Sequence, residues 1–421
     1  MKTSSILASV LLLASLCTSC TKNDNSSETV VPKPEEQSVT GEVSGTWKKG
    51  SIIQVKGDIL IPAGKSLTIE EGVTVLMDTT AKPEFVVNGN LYATGTSTSP
   101  VKITVPEAAR TEKYKFGKLW GGILASKSCT ELVLDNVILE YGGNTTTEAS
   151  TSVKLGLYKA LSGENVPAIW FSNVAGKLIV VNSTIRNFNE DCTYLEGGSI
   201  IFSNNKFYTT GVTGGEAINI KSGCLADIAY NLIYSTNTNG LKLSNAGDRT
   251  PQAYIVAYNN TLLNNGWRRP SVKGGSIWVE ASVHSEMYNN LLANCRFGIK
   301  RDVKKPEDTK TSVFKNTLYY SYTQDGVDQF QPNSEIIAGT NDIIGKKAGD
   351  NDPKFVNYPV ATDKMSPNFD TNWDFHLQTG SPALGKGTTE FTRHFKNGLL
   401  ANGKTYTSPE PANYIGAFGT K

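Results

Sequence analysis

Three short stretches decide the fold: IAYNLI at residues 228–233, AYNNTL at 257–262 and MYNNLL at 287–292. Each has an apolar residue three positions before an asparagine and another two positions after it. The same pattern occurs in VLDNVI (133–138), VVNSTI (180–185), FSNNKF (202–207) and VFKNTL (313–318). From position 183 to position 316 the polar residues of successive repeats are 22 to 30 residues apart. This spacing is typical of one coil of three short strands and three turns, so the sequence predicts an all-β solenoid.

The polar residue of each repeat has a physical reason to be asparagine. Stacked coils place equivalent side chains ~4.8 Å apart, so an amide can donate a hydrogen bond to one neighbouring coil and accept one from the other. Asparagine also tolerates the left-handed backbone of a tight turn between strands. We therefore predict a buried ladder through positions 136, 183, 205, 231, 260, 290 and 316, with serine at 183.

A second set of apolar residues predicts another sheet of the same solenoid. Its members are Ile123, Ile169, Ile218, Leu241, Ile277 and Ile299, each preceded by a small residue. Because side chains alternate along a strand, their neighbours point outward on one face. These neighbours are Trp170, Asn219, Lys242, Trp278 and Lys300, followed one step further by Lys221, Glu280 and Asp302.

The first twenty residues have the features of an export signal. Lys2 precedes an apolar run over residues 6–16, which is shorter than the ~20 residues needed to span a bilayer. The run leads into Cys20 through small residues and resembles the lipobox of bacterial lipoproteins, which implies lipidation of Cys20. The alternative is an ordinary secretory peptide. Residues 21–43 are rich in Thr, Asn, Ser, Glu and Pro and predict a disordered tether. We expect a lipid-anchored protein of the outer membrane or cell surface.

Composition narrows the classes of partner. The formal net charge of +2 gives no indication of nucleic-acid binding. The remaining cysteines, Cys129, Cys192, Cys224 and Cys295, are far apart and lack zinc-ligand spacing, so we interpret most of them as small buried residues and leave a disulfide open. We expect a monomer without a resident metal or cofactor.

Motifs at both ends of the repeats extend the interpretation. The opening motifs are Thr46-Trp47, Gly57 to Pro62 and Leu67 to Val73, and the closing motifs are Asp352 to Phe355, Asp374 to Leu377, Gly380 to Ala383 and Ile415 to Phe418. They resemble the two ends of right-handed parallel β-helix lipoproteins of Bacteroidetes type, which have a pectate-lyase-like superfamily fold. The resemblance implies a right-handed, single-stranded parallel β-helix over residues 44–345. Residues 346–421 would form a loop-rich cap on its exposed edge.

This superfamily includes polysaccharide lyases, adhesins and proteins of other kinds, so the fold alone does not decide the activity. The outward residues predict a ligand-binding face formed by Trp170, Asn219, Lys221, Lys242, Trp278 and Asp302. Tryptophan can stack on sugar rings, and lysine can pair with carboxylate or sulfate groups. Glu280 and Lys300, with Arg301 beside them, are the candidates for proton transfer.

Three hypotheses follow. We favour a non-catalytic, adhesin-like protein that binds a glycan or another surface partner. The second hypothesis is a polysaccharide lyase or glycoside hydrolase on the same face, with Ca²⁺ expected only for a lyase. A hydrolase needs paired carboxylates, and the chain contains no Asp-Asp pair or Gly-His-Gly motif of the pectinase type. The third hypothesis is a purely structural envelope protein.

Overall fold

The computed structural model describes residues 35–212, 214–271 and 274–421, and it is a right-handed parallel β-helix as predicted. The predicted signal peptide, Cys20 and the first part of the tether lie outside the described residues. Each coil contributes one strand to each of three parallel sheets, which we call the first, second and third sheets in chain order. None of the described helices is long and apolar enough to cross a membrane.

The first sheet contains ten strands. They are β2 (Gly45–Trp47), β4 (Ser66–Ile69), β7 (Asn90–Thr94), β10 (Glu131–Asp135), β13 (Lys177–Val181), β16 (Gly198–Ser203), β19 (Cys224–Ala229), β22 (Tyr254–Tyr258), β25 (His284–Tyr288) and β28 (Val313–Lys315).

The second sheet begins with β1 (Glu36–Glu42) and the first half of β3 (Ile52–Ile61). It continues through β5 (Thr74–Met77), β8 (Val101–Thr104), β11 (Val137–Glu140), β14 (Thr184–Phe188), β17 (Lys206–Thr210), β20 (Leu232–Thr236), β23 (Thr261–Leu263), β26 (Leu291–Ala293) and β29 (Leu318–Tyr320).

The third sheet begins with the second half of β3. It continues through β6 (Phe85–Val87), β9 (Ile123–Ala125), β12 (Ile169–Phe171), β15 (Thr193–Leu195), β18 (Ile218–Ile220), β21 (Asn239–Ser244), β24 (Gly275–Glu280) and β27 (Ile299–Arg301). Residues 336–343 pass beside β27, β28 and β29 in turn and complete the last coil.

Short helices and two antiparallel strand pairs complete the described secondary structure. The helices are two 3-10 turns at Glu107–Ala109 and Glu112–Tyr114, α1 (Thr151–Lys154) and α2 (Gln324–Asp328). The antiparallel pairs are β30 (Phe355–Asn357) with β31 (Asp374–Leu377), and β32 (Leu399–Ala401) with β33 (Lys404–Tyr406).

The core is a continuous column of inward side chains from all three sheets. The inward isoleucines and leucines of the third sheet are those that the sequence predicted, and Ile169, Ile218 and Leu241 are fully buried. The four described cysteines are free and buried, which confirms that they serve as small core residues. Burial raises the pKa of each thiol to about 12, so none is poised as a nucleophile.

The asparagine ladder is present at five of the seven predicted positions. The Asn260 side chain accepts hydrogen bonds from the backbone N–H and the amide of Asn231, at 3.0 and 2.9 Å, and donates to Asn290 Oδ1 at 3.0 Å. The backbone N–H and the amide of Asn205 likewise donate to Asn231 Oδ1, and Asn205 Oδ1 accepts a hydrogen bond from the backbone N–H of Ser183.

The register was wrong by one residue at positions 136 and 316. There the ladder residues are Val137, whose N–H donates to Ser183 Oγ, and Thr317, whose N–H donates to Asp342 Oδ1. The left-handed residue is the one before the ladder position, and Asn136 and Asn316 both have φ of 55°. The strands at 133–138 carry apolar residues on both faces, and such a pattern does not fix register.

The predicted tether ends earlier than expected. Residues 36–42 form strand β1, although only Val39 is shielded from solvent. The strand is held by parallel pairing of its backbone with β3. The composition of the segment did not predict strand β1, because backbone hydrogen bonds, rather than buried apolar surface, attach the strand to the sheet.

The prediction of a cap over the solenoid end was also wrong for residues 346–421. This C-terminal segment packs lengthwise along the outer faces of two sheets. Phe355, Tyr358 and Phe375 cover the second sheet, and Phe395 and Tyr406 cover the first. Outward residues such as Ile179, Ile201, Tyr234 and Leu263 are apolar, and a contiguous apolar surface of this kind requires cover.

Candidate functional site

The third sheet carries the candidate site on its outer face. Successive strand pairings place six residues in one outward column: Trp170, Tyr194, Asn219, Lys242, Trp278 and Lys300. Five of the six are those that strand alternation predicted, and Tyr194 was missed. The next outward position pairs Ser244 with Glu280.

Trp170 does not present a free stacking surface, contrary to the prediction. It is only 4% exposed because the long connection between β11 and β12 folds over it. The ring of Tyr158 in this connection meets Trp170 edge-on, with 6.1 Å between centroids. The indole N–H of Trp170 donates to Glu196 Oε2 at 2.7 Å. Trp170 therefore anchors a loop that covers the N-terminal half of the sheet.

The C-terminal half of the column opens into a cavity of about 320 Å³, which we call the third-sheet cavity. It is lined by Glu216, Thr238, Asn239, Lys242, Arg269, Trp278, Glu280 and Lys300. The structure thus brings together Lys242, Trp278, Glu280 and Lys300, as the sequence predicted. Parallel pairing of β21, β24 and β27 causes this, because it puts outward residues of neighbouring coils one strand apart.

Lys242 lies between two acidic side chains. Its Nζ is 4.0 Å from Glu216 Oε1 and 4.0 Å from Glu280 Oε1. Glu280 also accepts a hydrogen bond from the indole N–H of Trp278 at 2.8 Å, which fixes the tryptophan in the cavity wall. Lys242 therefore links both sides of the cavity without a close ion pair to either one.

Glu216 is a buried carboxyl group beside a second carboxyl group. Burial, together with the nearby charge of Asp191, raises the pKa of Glu216 to about 8. Asn239 Nδ2 donates to Glu216 Oε1 at 3.4 Å. At neutral pH Glu216 is therefore mostly protonated, and the cavity contains a neutral acid opposite the Glu280 carboxylate.

Glu280 and Lys300, the candidates for proton transfer, both line the cavity but do not form an ion pair with each other. Lys300 Nζ instead lies 2.8 Å from Glu335 Oε2. The Lys300 ammonium also lies 4.1 Å from the ring centroid of Phe297 and 5.9 Å from that of Trp278. The lysine that lies within 4.0 Å of Glu280 is Lys242.

Two other predicted residues have structural roles outside the lining of the cavity. The guanidinium of Arg301 pairs with the buried carboxylate of Glu307. Asp302 accepts hydrogen bonds from the backbone N–H groups of Lys304 and Lys305, at 2.8 and 3.2 Å, and stabilises a turn. Arg301 is the last residue of β27 and Asp302 follows the strand, so strand alternation does not set the direction of Asp302.

Asn219 and Lys221 lie beside the cavity without lining it. Asn219 is 4% exposed and donates to Asp191 Oδ2 at 2.8 Å. The Lys221 ammonium lies 5.2 Å from the ring centroid of Tyr194, and burial lowers the pKa of Lys221. Both residues lie on the outer face of the third sheet next to Glu216.

The sequence reasoning missed Glu216, Asp191, Asn239 and Arg269. Glu216, Asp191 and Arg269 lie in turns and loops at the edge of the third sheet, where the period of two no longer applies, and Asn239 is the first residue of β21. The one signal that could have found Glu216 is its position immediately before Ala217-Ile218 of the recognised column. The described residues include no cluster of three or more His, Cys, Asp or Glu that could hold a metal ion.

One family comparison matches. A model described as "Right handed beta helix region" matches residues 167–343, which include all the lining residues of the third-sheet cavity. No curated protein and no solved structure gives a significant match. The chain is thus similar to right-handed β-helix proteins in fold, and the argument about function depends on the cavity.

Proposed function

We propose that this chain is a cell-envelope protein that binds an acidic saccharide in the third-sheet cavity. The observation that carries the proposal is the charge of the lining. Among the described residues of the lining, Lys242, Arg269 and Lys300 are basic, and Glu280 is the one carboxylate when Glu216 is protonated. Outside the lining, Glu335 pairs with Lys300. A concave site with an excess of positive charge favours an anionic ligand.

The polar groups of the lining support a ligand with hydroxyl groups. Asn239 is 6% exposed and its Oδ1 has no hydrogen-bond partner among the described residues. Buried polar atoms are usually satisfied, so this oxygen is suited to accept a hydrogen bond from a bound hydroxyl group. Trp278 is half-buried beside it and adds an apolar wall. Aromatic walls with a few fixed polar groups are typical of small-ligand sites.

The proposal places the protein on the membrane through a lipid on Cys20. Its support is the sequence pattern before Cys20, which resembles a lipobox, and the polar residues that follow it. A lipidated N-terminus would hold the solenoid near the outer membrane or cell surface.

The test is a binding measurement with matched saccharides. The full-length protein is titrated with carboxylated and sulfated oligosaccharides from pectin, alginate, heparin and mucin, and with their neutral or desulfated counterparts. We expect binding of acidic members only, and at least tenfold weaker binding by Lys242→Met. Lys396→Met, which alters an exposed lysine outside the cavity, is the control and should bind normally. Equal binding of acidic and neutral members would contradict the proposal.

A second function is favoured by one observation, the relation of Glu216 to Glu280. Each has a carboxyl oxygen 4.0 Å from Lys242 Nζ, so the two oxygens are at most about 8 Å apart. Pairs of carboxyl groups at roughly 5–9.5 Å catalyse glycoside hydrolysis, one as acid and the other as base or nucleophile. The protonated Glu216 is suited to the role of the acid.

Turnover distinguishes this second function from binding alone. The acidic saccharides that bind are incubated with the protein, with and without Ca²⁺, and assayed for new reducing ends and unsaturated products. A hydrolase would release reducing ends, and both Glu216→Gln and Glu280→Gln would abolish the release. Binding without any product would leave the saccharide-binding function as the complete account.

A further inference from the structure

Asp191 accepts hydrogen bonds from three N–H donors. Its Oδ1 accepts from the backbone N–H groups of Gly215 and Glu216, at 2.8 and 2.9 Å, and its Oδ2 accepts from Asn219 Nδ2 at 2.8 Å. Asp191 is 5% exposed. A buried carboxyl group that accepts several N–H bonds is stabilised as the carboxylate.

Glu216 must therefore supply the proton shared by this pair. Its side chain is buried next to Asp191, and burial together with the charge of Asp191 raises the pKa of Glu216. Two carboxyl groups can share a hydrogen bond only when one of them carries a proton. Because Asp191 already accepts three N–H bonds and the pKa of Glu216 is raised, we place the proton of this pair on Glu216.

Charged and titratable groups face Glu216 from several elements. Asp191 and Glu190 approach from the turn before β15, and the Tyr194 hydroxyl approaches from that strand. Lys221 directly follows β18, and Lys242 lies on β21. Of these groups, Lys242 lines the cavity, at 4.0 Å from Glu216. The protonation state of Glu216 thus acts on the cavity through Lys242.

We propose that Glu216 is the specificity-determining residue of the third-sheet cavity, because its proton keeps the Lys242 ammonium available to an anionic group of the ligand. When Glu216 loses the proton, Lys242 lies between two carboxylates and its charge is compensated within the protein. This inference rests on the proposed function. The cavity then selects acidic ligands at neutral and mildly acidic pH and releases them in alkaline solution.

The expected effect follows from proton linkage. With a pKa of about 8, Glu216 is mostly protonated at pH 7 and mostly ionised at pH 9. If only the protonated form binds the anion, affinity falls roughly tenfold between these two values. Over the same interval the ligand binds with uptake of a proton, which approaches one proton per site at pH 9.

The experiment is isothermal titration calorimetry of the full-length protein with a heparin-derived tetrasaccharide at pH 7 and pH 9. Titrations in two buffers of different ionisation enthalpy give the number of protons taken up. We expect roughly tenfold weaker binding at pH 9 and proton uptake approaching one. Glu216→Gln should bind equally at both pH values without proton uptake. Glu335→Gln, which removes a carboxyl group beside Lys300 and outside the lining, should keep the tenfold change.

The outcomes separate this inference from the proposed function. Absence of binding at both pH values would overturn the proposed function and the inference together. Wild-type binding with equal affinity at pH 7 and pH 9 and no proton uptake would overturn only the role of Glu216. If the affinity of Glu216→Gln fell by the same factor between pH 7 and pH 9, the effect would be assigned to the lysines and the role of Glu216 would also be overturned. If Glu216→Gln does not fold, equal wild-type affinity at pH 7 and pH 9 without proton uptake still overturns the role of Glu216.

Discussion

Replacing Asn260 by leucine removes the centre of the asparagine ladder while nearly preserving side-chain volume. In the wild type, Asn260 Oδ1 accepts from the backbone N–H and from the amide of Asn231. Its Nδ2 donates to Asn290 Oδ1 and to the carbonyl oxygen of Ile228, at 3.0 and 2.9 Å. Asn260 is fully buried, so the groups that lose these bonds gain no access to solvent.

The expected loss of stability follows from counting the buried groups that lose a hydrogen bond without a replacement. The Asn231 amide still donates to the carbonyl of Phe202, and Asn290 Oδ1 still accepts from the backbone N–H of residue 260. The backbone N–H of Asn231 and one bond of the Ile228 carbonyl have no replacement. Each unsatisfied buried group costs about 1–3 kcal/mol, so we expect a loss of about 4 kcal/mol in the free energy of unfolding.

Urea denaturation followed by circular dichroism measures this loss, and hydrogen exchange locates it. Because coils contact mainly their neighbours, exchange should accelerate in β19, β20, β22 and β23 before it does in the first coils. Asn372→Leu is the control, since Asn372 is exposed and should change stability by less than about 0.5 kcal/mol. An Asn260→Leu protein as stable as the wild type would refute the ladder as a source of stability.

Three further predictions concern other parts of the molecule. Asp227→Ala should loosen the C-terminal segment and accelerate its cleavage in limited proteolysis, because the backbone N–H groups of His394 and Phe395 lose their buried acceptor. Glu216→Gln should become more stable relative to the wild type as pH rises from about 5 to 8. Because the pKa of Glu216 is raised in the folded state, its stabilising contribution to the wild type is complete at low pH and is lost through that interval, at up to ~1.4 kcal/mol per pH unit. Urea denaturation at each pH measures this difference. Cys20→Ser should abolish incorporation of labelled lipid and release the protein from the membrane fraction; retention there would contradict a lipid anchor.

Most of the fold could be predicted because each coil repeats the same physical constraints. Inward apolar positions such as Ile218 and Ile277, and the polar ladder at Asn231 and Asn260, recur at coil spacing and identify the solenoid without a structure. The path of the C-terminal segment could not be predicted in this way. It depends on apolar residues on the outer faces, such as Ile179 and Tyr234, which sequence alternation treats as solvent-exposed.

The site was predictable where strands position it and unpredictable where loops do. Lys242, Trp278 and Lys300 stand on paired strands, so alternation alone placed them on one surface. Trp170 follows the same rule, but the connection carrying Tyr158 buries it. Glu216 acquires its raised pKa from burial and from Asp191, which is 25 residues earlier in the chain and meets it only through the stacking of coils.

The most direct test of the proposed function is hydrogen exchange of the full-length protein with and without a bound acidic oligosaccharide. The third-sheet cavity predicts slower exchange in β21, β24 and β27 and in the turn that contains Glu216. Exchange on the first and second sheets, which the C-terminal segment covers, should be unchanged. Slower exchange confined to those two sheets, or an unchanged third sheet at a saturating concentration of ligand, would contradict the account.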